Sequence, residues 1–149
     1  MHPFAYVLFL IVLVMSIVSQ SLSESVEEAA QTRRVSIAGS IAIYAKAASD
    51  YARAHPTTDA ILPEGAASSP DWFHRDPRVA AYVVAGVSYT YFRSSSADEA
   101  GRIARACPKG VRCTVVLDGV MYEPGAIAAY GPVPQGRGLP TANAVMLRL

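Results

Sequence analysis

The first 23 residues of the chain contain no Asp, Glu, Lys or Arg, although the 149-residue sequence has 13 basic and 12 acidic side chains. Within this stretch, residues 4–18 read FAYVLFLIVLVMSIV, a run that only Ser16 interrupts. A helix of this composition is apolar on every face, and the rest of the chain is too short to bury it on all sides. With the uncharged residues that follow, it would be roughly 28 Å long, close to the ~30 Å core of a bilayer. The sequence therefore predicts an N-terminal transmembrane anchor at residues 1–23 and a soluble domain at residues 24–149.

A cleaved signal peptide is the main alternative for this segment. The apolar run is short, and the small residues Ser19, Ser21 and Ser23 follow it. Against cleavage, no Lys or Arg precedes the run and no A-x-A site follows it. A retained anchor, an uncleaved signal and a cleaved signal all stay open at this point. The membrane orientation is also open, because the first 30 residues contain no Lys or Arg to set it.

Charge and cysteine content exclude several classes of protein. The formal net charge is +1, whereas a nucleic-acid-binding protein needs clustered basic side chains to neutralise phosphates, so we expect no nucleic-acid partner. Hydrophobic residues make up 52% of the chain and charged residues 17%, a balance that excludes intrinsic disorder. The two cysteines are too few for a disulfide scaffold or a cysteine-only zinc site.

A hydrophobic stripe predicts a long helix after the anchor. The helix should end near Ala54, because the next residue precedes Pro56 and so avoids the helical region. On the opposite face, Lys46 and Asp50 stand four residues apart and form a predicted ion pair. Five apolar residues recur along the stripe at spacings of four, three, four and three, namely Ile37, Ile41, Tyr44, Ala48 and Tyr51.

The stripe has two interpretations. It packs on the sheet of its own domain, as most such stripes do, or it forms an interface with a partner, with Ile37, Ile41 and Tyr44 as the contacting residues.

The segment that follows, from Pro56 to Pro77, has four prolines and no sustained period, which predicts a long ordered loop. We expect Trp72 and Phe73 in this loop to anchor it to the core, and both are also candidate interface residues.

The second half of the sequence predicts an antiparallel sheet. Ser96 is placed to cap a short helix at residues 97–106, and Asp118-Gly119 between two apolar runs predicts a hairpin. Residues 123–143 are rich in Pro and Gly and should form an irregular but docked segment. Strands are predicted at residues 79–85, 87–93, 112–117, 120–123 and 144–148. The predicted fold is therefore α+β: an N-terminal transmembrane helix, then a long helix packed on an antiparallel sheet.

Few features of the sequence point to catalysis or metal binding. His2, His55 and His74 do not stand at ligand spacings with one another or with the cysteines. Asp71, His74 and Asp76 crowd one loop, but no nucleophile motif accompanies them. The G-x-S-x-G, P-loop and dinucleotide-binding patterns are absent. We therefore predict no catalytic, cofactor-binding or metal-binding residues.

Two local features leave their interpretation open. Cys107 and Cys113 are close enough in sequence to close a small disulfide loop if the domain lies outside the cytoplasm; two reduced, buried thiols are the alternative. The short helix and its exit carry a cluster of basic residues, which meets an acidic partner or lipid headgroups or, more commonly, forms a solvated face. The cluster comprises Arg102, Arg105, Lys109 and Arg112.

The layout as a whole resembles the PilM family of type IVB (thin) pilus biogenesis proteins, found on conjugative plasmids and in some bacterial chromosomes. The resemblance is carried by the apolar N-terminus, residues 40–44 (SIAIY), 51–56 (YARAHP) and 70–73 (PDWF), the strand pair around Gly86 with 89–91 (YTY), and the Pro/Gly-rich end. It implies a non-enzymatic component of the pilus apparatus, a basal-body or pilin-transport scaffold. It also implies a single-pass protein of the bacterial inner membrane with a periplasmic domain, partnered by other pilus assembly proteins, with no cofactor and no small-molecule substrate.

Two other functions stay open. A minor pilin-like subunit would have a similar layout, but prepilin processing needs a basic leader and a Glu five residues into the mature chain. Cleavage after Ala5 would place Leu10 there. A small secreted or periplasmic enzyme, released by signal cleavage, would build its site from His74 and its loop neighbours.

Overall fold

The computed structural model describes the backbone of residues 3–63, 65–126, 128–134 and 137–149, and within the first helix it describes the side chains of residues 12, 13, 15 and 25–54. The chain divides into two units, Met1–Arg33 and Arg34–Leu149. Two helices are assigned in the described residues, α1 (Pro3–Ala54) and α2 (Ala97–Arg105).

The N-terminal unit is helical from Pro3 onward. The predicted anchor at residues 1–23 lies mostly outside the described side chains, since only Val12, Leu13 and Met15 are described there, and all three are exposed. In the described residues, no helix combines the length and the apolar character that crossing a membrane requires.

The C-terminal unit is an α+β domain in which the described residues form one seven-stranded antiparallel sheet. The strands are β1 (Asp59–Ile61), β2 (Val79–Val84), β3 (Val87–Arg93), β4 (Thr114–Leu117), β5 (Val120–Tyr122), β6 (Ala129–Pro132) and β7 (Ala144–Arg148). Their order across the sheet is β1-β2-β3-β7-β4-β5-β6, so the last strand of the chain is the central strand of the sheet. The prediction of an α+β fold with an antiparallel sheet is confirmed.

Five of these strands match predicted ones to within two residues, and two were not predicted. Strand β1 has three residues, all exposed, and so carries no alternating pattern. Strand β6 contains Gly131 and Pro132 and pairs with β5 through an irregular register. Both are edge strands whose pairing depends on the neighbouring strand rather than on their own sequence.

Two hairpin turns have the same backbone conformation. Asp118 and Gly119 have φ angles of 48° and 76°, which confirms the predicted Asp-Gly hairpin. Ala85 and Gly86, between β2 and β3, have nearly identical values of 49° and 76°. Alanine is an unusual residue for this position, because its Cβ is strained in the left-handed region.

The part of α1 that belongs to the C-terminal unit, together with α2, covers one face of the sheet. The hydrophobic stripe of α1 lies in this core, where Ile37, Ile41 and Tyr44 are 4%, 0% and 4% exposed. The same cluster includes Phe92 of β3 and Ile103 of α2. The stripe thus packs within its own domain, which is the first of the two interpretations that its spacing allowed.

The start of α2 follows the predicted capping. The hydroxyl of Ser96 accepts a hydrogen bond from the backbone N–H of Glu99 at 3.2 Å. In return, the Glu99 carboxylate accepts hydrogen bonds from the backbone N–H and the hydroxyl of Ser95, at 3.1 and 2.7 Å. These contacts fix the turn that joins β3 to α2.

The opposite face of the sheet has a second core made of tyrosines and aliphatic residues, among them Tyr82, Tyr89, Tyr91 and Met146. Val133 and Leu139, from the Pro/Gly-rich segment, belong to this core, so the segment is docked at these residues, whereas its residues Ala126, Ala128, Ala129 and Tyr130 are exposed. Charged contacts hold it in place. Arg137 pairs with Asp59 of β1 at 3.1 Å, and Asp59 also accepts a hydrogen bond from the Tyr82 hydroxyl.

Candidate protein-binding groove

An open, largely apolar groove of about 550 Å³ lies along α1 in the C-terminal unit. One wall is the flank of α1 that carries Ala42, Ile43, Lys46, Ala47 and Asp50. Lys46 and Asp50 are exposed and Ala42 and Ile43 are half-buried, whereas Ala47 also belongs to the main core. The other walls come from the proline-rich loop before β2 and from the disulfide loop after α2, so three segments distant in sequence form what we call the Trp72 groove.

Trp72 is a large apolar residue of the groove, and 71% of its surface is accessible. It lies in a tight turn in which the backbone N–H of Phe73 donates to the carbonyl oxygen of Pro70 at 2.9 Å. Phe73 is half-buried against the main core, and the two rings meet edge to face with centroids 6.2 Å apart. The expectation that Trp72 anchors the loop is therefore wrong, because Phe73 occupies the inward position and the turn directs Trp72 outward.

The loop that carries Trp72 is fixed to α1 at two points. The Arg75 guanidinium lies over the Tyr44 ring, 5.0 Å from its centroid. The backbone N–H of Asp76 donates to the Ser40 hydroxyl at 3.3 Å. Arg75 also donates to the carbonyl oxygen of Val79, which ties the loop to the first residue of β2. Trp72 is thus held at the surface by contacts on its C-terminal side.

The third wall is a short loop closed by a disulfide between Cys107 and Cys113. Inside it, the backbone N–H of Val111 donates to the carbonyl oxygen of Pro108 at 3.0 Å, and these two residues line the groove. Gly110 has a φ of 87°, a conformation that favours glycine and lets the loop turn back on itself. Since Cys113 is 4% exposed and belongs to the main core, the loop is attached to the domain interior.

The rim of the groove is charged. Lys46 and Asp50 form the predicted ion pair, with their Nζ and Oδ1 atoms 2.7 Å apart and both side chains exposed. In the disulfide loop, Lys109 and Arg112 each follow a lining residue in sequence; both are exposed and have no ion-pair partner among the described residues. Asp71 precedes Trp72 in the proline-rich loop and is also exposed. The disulfide loop is therefore the wall that carries exposed positive charge.

The loop residues considered for acid–base chemistry have different surroundings. Asp71 and His74 are exposed. Asp76 accepts hydrogen bonds from the Nε and Nη2 atoms of Arg78 at 3.0 and 2.7 Å. This hydrogen-bonded carboxylate raises the pKa of Arg78 above its ordinary value. Asp76 is thus engaged in the structure of the loop. Among the described residues, no group of three or more His, Cys, Asp or Glu side chains is placed to hold a metal ion, and His2 lies outside them.

The five predicted interface residues lie in different places. Ile37, Ile41 and Tyr44 are buried in the core, Phe73 is half-buried, and Trp72 lines the groove. Sequence reasoning missed the other apolar lining residues, chiefly Ile43, Ala47, Pro108 and Val111. One signal in the sequence could have identified Ile43 as a groove residue: it is apolar but lies outside the hydrophobic stripe of α1.

The sequence of the chain matches the model of a known protein family. The family model of PilM matches residues 8–147, which include nearly all of α1 and all but the last residue of β7. No curated protein and no solved structure matches the chain. Because the family match covers nearly the whole chain, the protein belongs to the PilM family and takes part in type IV pilus biogenesis.

Proposed function

We propose that the chain is a non-enzymatic, membrane-anchored scaffold of the thin-pilus apparatus, and that it binds other pilus assembly proteins through the Trp72 groove. The observation that carries the scaffold role is the 71% exposure of Trp72 on a loop that is fixed to the domain. Tryptophan is the residue type most enriched at the energetic centres of protein interfaces. Burying an exposed tryptophan requires a partner, and a loop already ordered loses little entropy on binding.

Membrane attachment is the second part of the proposal. It is supported by the absence of charged residues from the first 23 positions of the sequence. We place the protein in the bacterial inner membrane with its domain in the periplasm. The Cys107–Cys113 disulfide supports this side of the membrane, because disulfides persist in oxidising compartments and are rare in the cytosol.

The pilus role is tested by deletion and complementation in a host that makes these pili. Deletion should abolish or strongly reduce piliation, counted by electron microscopy, and the wild-type chain should restore it. A Trp72→Ala chain should restore it poorly. The matched control is Ile61→Ala, which removes an exposed apolar side chain outside the groove. Normal piliation in the deletion strain would refute the pilus role, and equal rescue by the two variants would refute the groove as the binding surface.

The anchor is tested by fractionation followed by intact-mass measurement. A retained anchor gives the full-length mass in the membrane pellet after alkaline washing. A mature chain lacking ~20 N-terminal residues in the soluble fraction would show that the segment is a cleaved signal and would refute membrane anchoring.

A further inference from the structure

We propose that the Trp72 groove holds an amphipathic α-helix of another protein, and that the edge of this helix facing the disulfide loop carries acidic residues. The inference rests on the proposed scaffold function and names the partner chemistry of the same site.

The walls of the groove favour a helix over an extended strand. A bound strand needs a free sheet edge for main-chain pairing, and the edge strands β1 and β6 contribute no lining residue. A helix satisfies its own backbone hydrogen bonds and needs only an apolar surface. The α1 wall offers the small residues Ala42 and Ala47 beside Ile43, which lets a second helix axis approach closely.

The apolar centre defines which face of the partner helix enters. Pro108 and Val111 on one side and Pro70 and Trp72 on the other bring apolar groups toward the same space. Partner side chains at i, i+3, i+4 and i+7 form a stripe of matching character. Trp72 would then cover that stripe and become buried.

The charged residues of the two loops determine which edge of the partner helix is acidic. Lys109 and Arg112 flank Pro108 and Val111 in the disulfide loop and have no ion-pair partner among the described residues. Acidic residues along one edge of the partner would lie opposite them. Asp71 precedes Trp72 in the loop that forms the other wall and is exposed, so the second edge of the partner should be neutral or basic. Charge complementarity of this kind fixes the register and speeds encounter.

The concave shape favours a protein segment over a bilayer. A flat membrane surface would meet Trp72 and the basic disulfide loop but would leave the groove of about 550 Å³ unfilled. A projecting helix fills that space. Lipid contact is therefore an alternative outcome of the experiment.

The test is site-specific photocrosslinking in pilus-producing cells with the full-length chain. A photoreactive phenylalanine replaces Ser68, an exposed residue of the groove wall, and in a control chain it replaces Ile61, which is exposed outside the groove. The crosslinked peptide is sequenced by mass spectrometry. We expect one segment of another pilus protein, with a helical apolar stripe and Asp or Glu on one edge, captured from position 68 and not from position 61.

Charge reversal completes the test. Lys109→Glu with Arg112→Glu should lower the crosslink yield at least ~10-fold, and changing the acidic residues of the captured segment to Lys should restore it. Thermal unfolding of the variant should match that of wild type, because both side chains are exposed. The proposal is overturned if position 68 captures only lipid, a second copy of the chain, a segment without acidic residues or no partner, or if charge reversal leaves the yield unchanged. In those cases the pilus role still stands if deletion abolishes piliation, so the two proposals fail separately.

Discussion

The guanidinium carbon of Arg75 lies 5.0 Å from the centroid of the Tyr44 ring, so a loop residue is stacked on a residue of the helix core. Tyr44 is 4% exposed and belongs to the stripe that anchors α1 to the sheet. Arg75 is three residues from Trp72 in the same loop. The position of the exposed tryptophan is therefore coupled to the packing of the domain interior.

Replacing Arg75 should loosen the loop. The Arg75→Ala variant loses the contact with Tyr44 and the hydrogen bond to the Val79 carbonyl, so we expect a loss of about 1–2 kcal/mol in the free energy of unfolding. Urea denaturation measures this loss, and hydrogen exchange should show faster exchange at the Phe73 amide. Arg53→Ala, at an exposed residue, is the control. A loss no larger than that of the control would contradict the anchoring role.

The domain should become more stable when the hairpin between β2 and β3 has a residue that favours the left-handed conformation. Ala85 has a φ of 49°, which Asn adopts at lower cost, so Ala85→Asn should stabilise the domain by about 0.5–1 kcal/mol. Gly86→Ala should destabilise it by about 1 kcal/mol, since Gly86 has a φ of 76°. The nearest atom to an added Cβ is the Pro56 Cβ at 3.9 Å, an ordinary contact, so backbone strain alone accounts for that loss. Urea midpoints that move in the same direction for both variants would refute this account of the turn.

The disulfide should contribute measurably to stability. The bond joins cysteines at a sequence separation of 6. Closing such a loop lowers the conformational entropy of the unfolded chain and so stabilises the folded state by about 2 kcal/mol. Reductant should therefore lower the urea midpoint of the wild-type protein. A Cys107→Ala, Cys113→Ala variant should be less stable and insensitive to reductant. Equal midpoints for the wild type with and without reductant would show that the bond does not stabilise the fold.

Stability should fall at alkaline pH because of Tyr82. The hydrogen bond from its hydroxyl to Asp59 raises the pKa of Tyr82 above the ordinary value of about 10, since it favours the neutral form. Burial and the Asp59 charge act in the same direction, while Arg137 opposes them. A raised folded-state pKa means that this contribution is complete below the unfolded-state pKa and is lost as the pH rises through the folded-state pKa.

The measurement compares urea denaturation at pH 8 and pH 11 for wild type and Tyr82→Phe. The variant lacks this titration, so it should lose less stability over that range than the wild type. Tyr122→Phe serves as the control substitution, because the Tyr122 hydroxyl donates to no carboxylate among the described residues. Identical pH dependence in wild type and Tyr82→Phe would contradict the assignment.

The parts of the fold that were predicted correctly are those encoded locally. Asp118-Gly119 specifies its hairpin through the backbone conformation that these residues favour, and Ser96 specifies the start of α2 through its hydroxyl. The spacing of Ile37, Ile41 and Tyr44 likewise marks the buried face of α1. In each case the relevant residues are close to one another in the sequence.

The parts that were missed depend on contacts between distant segments. Strand β1 forms because β2 offers it an edge, and its own three exposed residues carry no pattern. Trp72 and Phe73 are adjacent aromatics of similar apolar character, and only the Pro70–Phe73 turn decides which one points inward. The groove brings residues near positions 43, 70 and 110 together, a convergence that no local pattern encodes.

The exposure of Trp72 also has an optical consequence. It is the only tryptophan in the chain, and 71% of its surface is accessible in the folded protein. Its fluorescence should therefore resemble that of tryptophan in water both before and after unfolding, which makes it a poor probe of folding. The eight tyrosines and the far-ultraviolet circular dichroism must report that transition instead. A blue shift of the tryptophan emission, in contrast, would signal that a ligand has entered the groove, so the native protein contains its own label for binding measurements.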